Sequence, residues 1–449
     1  MLIDVLRTTA AEHPERQAII AAGRTITYAE LVSAAGSIAG GLHARGIVAV
    51  GCAVQDPVDV VSVLAAASAA GVEACVYPRG LDAEATATLA QRLGHETVLV
   101  DRGRSGGLTL DALAGSADDE LPAPAASTVL ILTTGTTGTP KGVRHDWARL
   151  LRAVRRNPDK AAGRWLLAYN INQFAAFQVL LHGLVNGATI VVPSSTHARD
   201  AIDAMFEHRV TSVSATPTFW RMLLGVLAAE PRELALEQIT LGGEAAPASV
   251  IDRLRAAFPA AGISHIYAGT EFGSVVSVRD GLSGLPVSIL DRDESADTHF
   301  KVVDGELHVR SRNAMLGYQG QDAAAGDGWH ATGDLVEERD GRLHFVGRTV
   351  EIINVGGAKI HPLPLEELIA SVPGVAAAVV YGRPNAITGQ IVAADVVLDD
   401  GADGDAVLAG VRAACADQPA AGRPRRIRIV EALEVRGNKT VRTALEAKP

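Results

Sequence analysis

Leu132-Thr133-Thr134-Gly135-Thr136-Thr137-Gly138-Thr139-Pro140-Lys141-Gly142-Val143 is a run dense in glycine and threonine that closes on a lysine and a glycine. It runs on from Thr128-Val129-Leu130-Ile131-Leu132, short and β-branched enough to be a buried strand. Glycines let a backbone wrap closely around phosphate oxygens, and the N–H groups and threonine hydroxyls of such a loop can donate to them. Lys141 adds positive charge. The loop is not a Walker A element, because the spacing to the lysine differs and Gly142 stands where Ser or Thr should follow. A surface loop could share this composition, but its place behind a buried strand favours anion binding.

Working outward, helix and strand patterns alternate. Thr27 is placed to cap a helix opening at Tyr28, Glu30 completes a capping box, and the helix should end near Gly40 and Gly41. Ile47 to Val50 reads as a strand stopped by Gly51, and Val58 to Ala70 as a helix after Pro57. Ala74 to Tyr77 and Thr97 to Val100 are further strands. Beyond the loop, Phe174 to Val185 reads as a helix and Thr189 to Val192 as a strand, with Gly187 between them. This alternation predicts an α/β fold. After Gly305 short strands with glycine-rich turns dominate. From about Gly347 a compact segment of roughly a hundred residues mixes strands such as Ala377 to Val380 with helices, a common domain size.

The bulk properties set limits. A chain of 449 residues suggests two or three domains, and 48% hydrophobic with 20% charged residues leaves ample material for a core. A net charge of -10 argues against a nucleic-acid partner, whose binding depends on neutralising phosphates. The start shows no secretion signal, and no apolar run approaches the roughly 20 residues that a membrane helix needs. Cys52, Cys75 and Cys415 are scattered, without CxxC spacing, and read as buried reduced thiols of a cytoplasmic protein.

Further motifs follow the loop in order. They are Leu241-Gly242-Gly243-Glu244-Ala245, Tyr267-Ala268-Gly269-Thr270-Glu271, Trp329-His330-Ala331-Thr332-Gly333-Asp334-Leu335, Gly347-Arg348, and Arg436-Gly437-Asn438-Lys439-Thr440. With the loop, this series resembles the adenylate-forming superfamily of acyl-CoA synthetases, adenylation domains of nonribosomal peptide synthetases, and luciferases. The resemblance covers nearly the whole chain. It implies a large multi-subdomain N-terminal domain, residues 1–347, and a small mobile α+β C-terminal domain, residues 348–449.

The same resemblance implies residue roles. Thr133, Thr134, Gly135, Thr136, Thr137, Gly138 and Lys141 would cradle the phosphates of ATP. Gly243, Glu244 and Ala245 would lie along the adenine and the acyl pocket, with Tyr267 stacked on the adenine. Thr270 would contact the α-phosphate, Glu271 would hold Mg2+, and Asp334 and Arg348 would take the ribose hydroxyls. Lys439 matches the catalytic lysine. Asn172, Gln173, Phe174, Gly243, Ala268 and Gly269 would line the acid pocket. Taken singly, most of these are ordinary surface or turn residues; their order raises them above that background.

Adenylation needs no base, because a carboxylate is already ionised near neutral pH. It needs anions brought together and moving charge neutralised. Gly356 and Gly357 resemble the turn that lines the path of a thiol acceptor. Val350 stands where relatives usually carry a hinge Asp or Lys, and Asn354 where many carry a lysine. The Asp that pairs with an α-amine in amino-acid-activating relatives is missing from residues 170–175. An aryl or short functionalised acid is therefore expected, with CoA as acceptor. The alternatives are a stand-alone adenylation enzyme that loads a carrier protein or forms an amide, and, in another class, an inactive nucleotide-binding regulatory protein.

Overall fold

The Thr27 hydroxyl accepts a hydrogen bond from the Glu30 amide, and the Glu30 carboxylate accepts one from the Thr27 amide, so the capping box forms and the helix Tyr28–Ala44 starts there. The helix ends close to the expected place, at Ala44, but neither glycine forms the stop. Both are buried in its last turns, and a methyl on Gly41 would fall on the carbonyl of Leu113. Close approach of a neighbouring segment accounts for Gly41. Gly51 likewise does not stop its strand, Ala49–Cys52; the space beside it is filled by the Tyr77 ring. The helix Pro57–Ala70 is apolar on nearly every side and almost wholly buried, with Asp56 capping its start and Gly71 its end in the left-handed conformation. The helix Phe174–Val185 and the strands Thr97–Val100 and Thr189–Val192 have the expected limits. Cys52, Cys75 and Cys415 are free and buried.

The computed structural model describes the chain apart from residues 22, 116–125, 134–140, 158–159, 322–327, 437–438 and 443–449. The expected phosphate-binding residues Thr134, Gly135, Thr136, Thr137 and Gly138 therefore lie outside the described residues. The strands flanking that loop, Thr128–Thr133 and Lys141–Asp146, are antiparallel partners that set Thr133 opposite Lys141.

These two strands belong to a seven-stranded sheet whose central members Thr128–Thr133, Glu73–Val76, Ala49–Cys52 and Thr97–Val100 are parallel. An eight-stranded sheet has a parallel centre of Gly262–Gly269, Gln238–Gly242, Ser212–Ala215, Arg164–Leu167, Thr189–Val192 and Gln17–Ala21. The largest hydrophobic core joins both sheets through the helices Tyr28–Ala44, Pro57–Ala70 and Phe174–Val185. Helices Ala198–Glu207, Pro217–Ala229 and Ala248–Ala257 cover the other face of the eight-stranded sheet. A five-stranded antiparallel sheet follows, including Trp329–Arg339 and Arg342–Arg348. The smaller C-terminal domain has its own sheet and core, built on the long hairpin Val375–Asn385 and Gly389–Leu398 with helices Pro362–Ala370 and Gly404–Ala414. Parallel strands joined by helices in the large domain, and mainly antiparallel ones in the small, make the chain an α/β protein of two unequal domains. No helix of the described residues is long and apolar enough to cross a membrane.

Candidate active site

A continuous cleft of about 2210 Å³ runs between the large body and the C-terminal domain. At one wall the Lys141 ammonium sits 5.2 Å over the Tyr318 ring, and the Tyr318 hydroxyl donates to Glu271 Oε1 at 3.2 Å. Tyr318 was not anticipated; its strand, Gly317–Tyr318, pairs with Lys141–Asp146 and so carries the ring to the lysine.

The strand Gly262–Gly269 shifts register between Tyr267 and Ala268, a local irregularity that re-aims the side chains just before Thr270 and Glu271. The Tyr267 hydroxyl donates to Asp334 Oδ2 at 2.7 Å, and its ring packs against Phe272 and Phe345 at centroid distances of 5.5 and 5.1 Å. Gly269 leaves the room that the Phe272 ring occupies. Asp334 and Arg348 face each other across adjacent strands, and Arg348 Nε donates to Asp334 Oδ1 at 2.8 Å.

Behind this segment lies His145, fully buried, which sequence reading missed. Burial pushes its imidazole down to about 4, so the ring is neutral near pH 7. Its Nε2–H donates to the Thr270 carbonyl at 2.7 Å, and the Phe174 ring lies 5.5 Å from it. His145 thus ties the helix that starts at Phe174 to the Thr270–Glu271 turn. Asn172, Gln173, Phe174, Ala268 and Gly269 all line the cleft, as do Gly243, Glu244 and Ala245.

Lys439 enters from the C-terminal segment. Its Cε lies 3.4 Å from where a Cβ on Gly243 would stand, and Gly243 has φ +84. That left-handed backbone favours glycine, and the lysine packs against it at van der Waals distance. The lysine is open to the water of the cleft yet ringed by protein. That enclosure pulls its ammonium below the ordinary lysine range, against the attraction of Glu244, Asp334 and Glu271. Glu244 holds the lysine's strand in place. Its Oε1 accepts the Thr440 amide at 2.9 Å and its Oε2 the Thr218 amide at 3.1 Å, while the Thr218 and Thr440 hydroxyls meet at 2.8 Å. Sequence reading set Glu244 beside the nucleotide; here both carboxylate oxygens are taken by backbone donors. Two residues further on, Arg442 pairs with Glu366 at 2.8 Å.

Residues 6–319 match the model of the AMP-binding enzyme family, and residues 364–439 that of the AMP-binding enzyme C-terminal domain. The chain belongs to the AMP-binding enzyme family. It is an acyl-adenylate-forming ligase. A 2-succinylbenzoate–CoA ligase of Bacillus subtilis is 26% identical over 424 residues, 86% of each chain. A feruloyl-CoA synthase of an Amycolatopsis species is 29% identical over 455 residues, 89% of each chain. Among solved structures, the o-succinylbenzoate CoA synthetase of Bacillus subtilis in complex with its acyl-adenylate intermediate superposes with a TM-score of 0.76. It is 24% identical, and the match covers 98% of this chain and 97% of that one. An anthranilate CoA ligase in complex with anthranoyl-AMP gives a TM-score of 0.82 at 19% identity, covering 98% and 95%.

Not every expected residue of this AMP-binding enzyme reaches the cleft. Gly356 and Gly357, with φ of +58 and +90, turn the hairpin Ile353–Val355 to Ala358–Ile360, and neither lines the cleft in this conformation. Val350 does line it, at 68% exposure, just after Arg348. Glu271 is the residue suited to an ion accompanying phosphates, since magnesium takes one or two carboxylates and completes its shell with phosphate and water oxygens. Among the described residues no group of three or more His, Cys, Asp or Glu could hold a metal by itself.

Proposed function

We propose that this chain is an ATP-dependent acid–thiol ligase that adenylates a carboxylic acid and passes the acyl group to CoA. The observation that carries the reading is Lys439, set by the C-terminal segment over Gly243, in a cleft that also holds Thr133, Lys141, Thr270, Glu271, Asp334 and Arg348. The carboxylate would attack the α-phosphate and expel pyrophosphate. Lys141 and Lys439 would neutralise charge as it moves to the leaving group, and the Thr133 and Thr270 hydroxyls would donate to phosphate oxygens. Glu271 would hold magnesium, which supplies charge neutralisation at the phosphates. The Asp334–Arg348 pair would bind the ribose, and Tyr267, Gly243 and Ala245 would border the adenine. Asn172, Gln173, Phe174, Ala268 and Gly269 would border an aryl or short functionalised acid.

The domain division falls at residues 347 and 348 in this reading. Val350, immediately beyond, would absorb the backbone rotation that withdraws Lys439 and brings Gly356 and Gly357 to the acceptor path. The cytoplasm, where CoA and ATP are supplied, is the expected location. Similarity to the feruloyl-CoA and 2-succinylbenzoate–CoA enzymes supports CoA as acceptor. A second reading, loading of a carrier protein or amide formation, is favoured by likeness to syringomycin synthase SyrB1 of Pseudomonas syringae, 28% identical, and to an amide bond synthetase fold. Incubation with ATP and an acid, adding CoA, a holo-carrier protein or an amine in separate reactions, tests the choice. Acyl transfer to CoA at the highest rate is expected; transfer only to carrier or amine would overturn it.

A further inference from the structure

The cleft continues past Ala268 into a deep arm between the helix Phe174–Val185 and the face of the eight-stranded sheet beneath it. A sheet face packed under a helix is normally apolar, as the opposite face of these same strands is, with Val213, Ala215, Ile239 and Leu241. The face lining the arm instead carries Ser214, Gln238, Thr240 and Ser264. The Gln238 side-chain amide donates to the Thr240 and Ser264 hydroxyls at 3.3 and 3.1 Å, and those hydroxyls meet each other at 3.1 Å. From the helix, Gln178 and His182, one turn apart, line the arm.

Gln178 is the decisive group. Both its amide nitrogen and its amide oxygen are buried, and neither has a hydrogen-bond partner. Leaving a buried amide unpaired is costly, and such a group in a cavity suits a ligand that completes it. The helix Phe174–Val185 and the strands Ser212–Ala215, Gln238–Gly242 and Gly262–Gly269 contribute no carboxylate to this arm. Arg155, Lys160 and Arg279 line the same cleft, and Arg279 lies within electrostatic reach of His182. Within the arm these elements therefore offer hydroxyl and amide groups and no negative charge to pair with a cation.

We propose that the acid activated by this enzyme carries a second, oxygen-bearing group (hydroxyl, keto or carboxylate) remote from the reacting carboxylate, and that Gln178 is the specificity residue that hydrogen-bonds it. The inference rests on the adenylation reading and deepens it.

The test is acid-dependent exchange of pyrophosphate into ATP, using para-substituted benzoates and cinnamates matched in skeleton. Para-hydroxy, para-acetyl and para-carboxy acids are compared with para-methyl and para-aminomethyl ones. Wild type is expected to prefer an oxygen-bearing acid by about tenfold or more in kcat/KM, since sites built to hydrogen-bond a substrate group reject analogues lacking it. Gln178→Leu is expected to collapse that preference to within about threefold while leaving the para-methyl acid unchanged or better. Its thermal midpoint should not fall, because no hydrogen bond to protein is lost; Gln178→Met replaces it if it fails to fold. Preference of wild type for the methyl or aminomethyl acid, or an equal loss for all acids in the variant, overturns the proposal. Exchange with no acid at all overturns the adenylation reading, and this inference with it.

Discussion

Replacing Glu244 by alanine separates the C-terminal segment from the large domain at one point. The carboxylate accepts two backbone amides, from Thr218 in its own domain and from Thr440 beside the lysine. Only the second crosses between domains, so only its loss shifts the docked arrangement. A hydrogen bond to a charged group contributes about 1.5–3 kcal/mol, which corresponds to roughly a ten- to 150-fold smaller docked population. The first bond caps the helix Pro217–Ala229 at its start, and its loss costs stability without moving Lys439. Pyrophosphate exchange should therefore fall by about one to two orders of magnitude in kcat, with the KM for ATP little changed. Thioester formation from supplied acyl-adenylate should be spared, since in the proposed cycle that step follows withdrawal of the lysine. A rise in the KM for ATP with kcat intact would place Glu244 on the nucleotide instead and refute this reasoning. Equal loss in both half-reactions would refute it too.

Other outcomes follow from the same geometry. Lys439→Ala should slow adenylation about a hundred-fold or more while leaving transfer from supplied acyl-adenylate intact; equal losses would contradict its role. Because enclosure lowers the lysine's pKa, activity should fall as pH rises through a value below the ordinary lysine range, and Lys439→Arg, charged throughout, should lack that alkaline limb in kcat/KM profiles. His145 is held neutral down to about 4 in the folded chain but takes a proton near 6.5 when unfolded. The unfolded state binds more protons between those values, so stability drops as pH falls through them, by about 3 kcal/mol at most. His145→Phe should flatten that acid limb in thermal unfolding, yet cost about 1 kcal/mol at neutral pH through the lost Thr270 bond. Gly41→Ala should destabilise by about 1–3 kcal/mol, read as a lower thermal midpoint with exchange per folded molecule unchanged, because its methyl meets the Leu113 carbonyl far from the cleft.

Local order in the sequence carried much of this. The helix from Tyr28 was legible because its cap is a two-residue reciprocal bond, and the helix Phe174–Val185 because an apolar run is bounded by a turn glycine. Gly41 and Gly51 misled because a glycine that ends an element and one that admits a neighbour look the same in one dimension. Their contacts, Leu113 and Tyr77, are distant in the chain. The same distance hid His145 and Tyr318, which reach Thr270 and Glu271 only through strand pairing. Glu244 stood in a recognisable motif, but its bond to Thr440 depends on how two domains meet. Gln178 and His182 did leave a signal, a four-residue spacing of polar side chains on an apolar helix.

ATP–pyrophosphate exchange across a broad panel of carboxylic acids reads out whether this cleft joins an acid to AMP. Exchange that appears only when a suitable acid is present, and that Lys439→Ala slows about a hundred-fold or more, is expected. A purified protein that binds ATP but exchanges pyrophosphate with no acid in the panel would contradict the account and mark the chain as a nucleotide-binding regulatory protein.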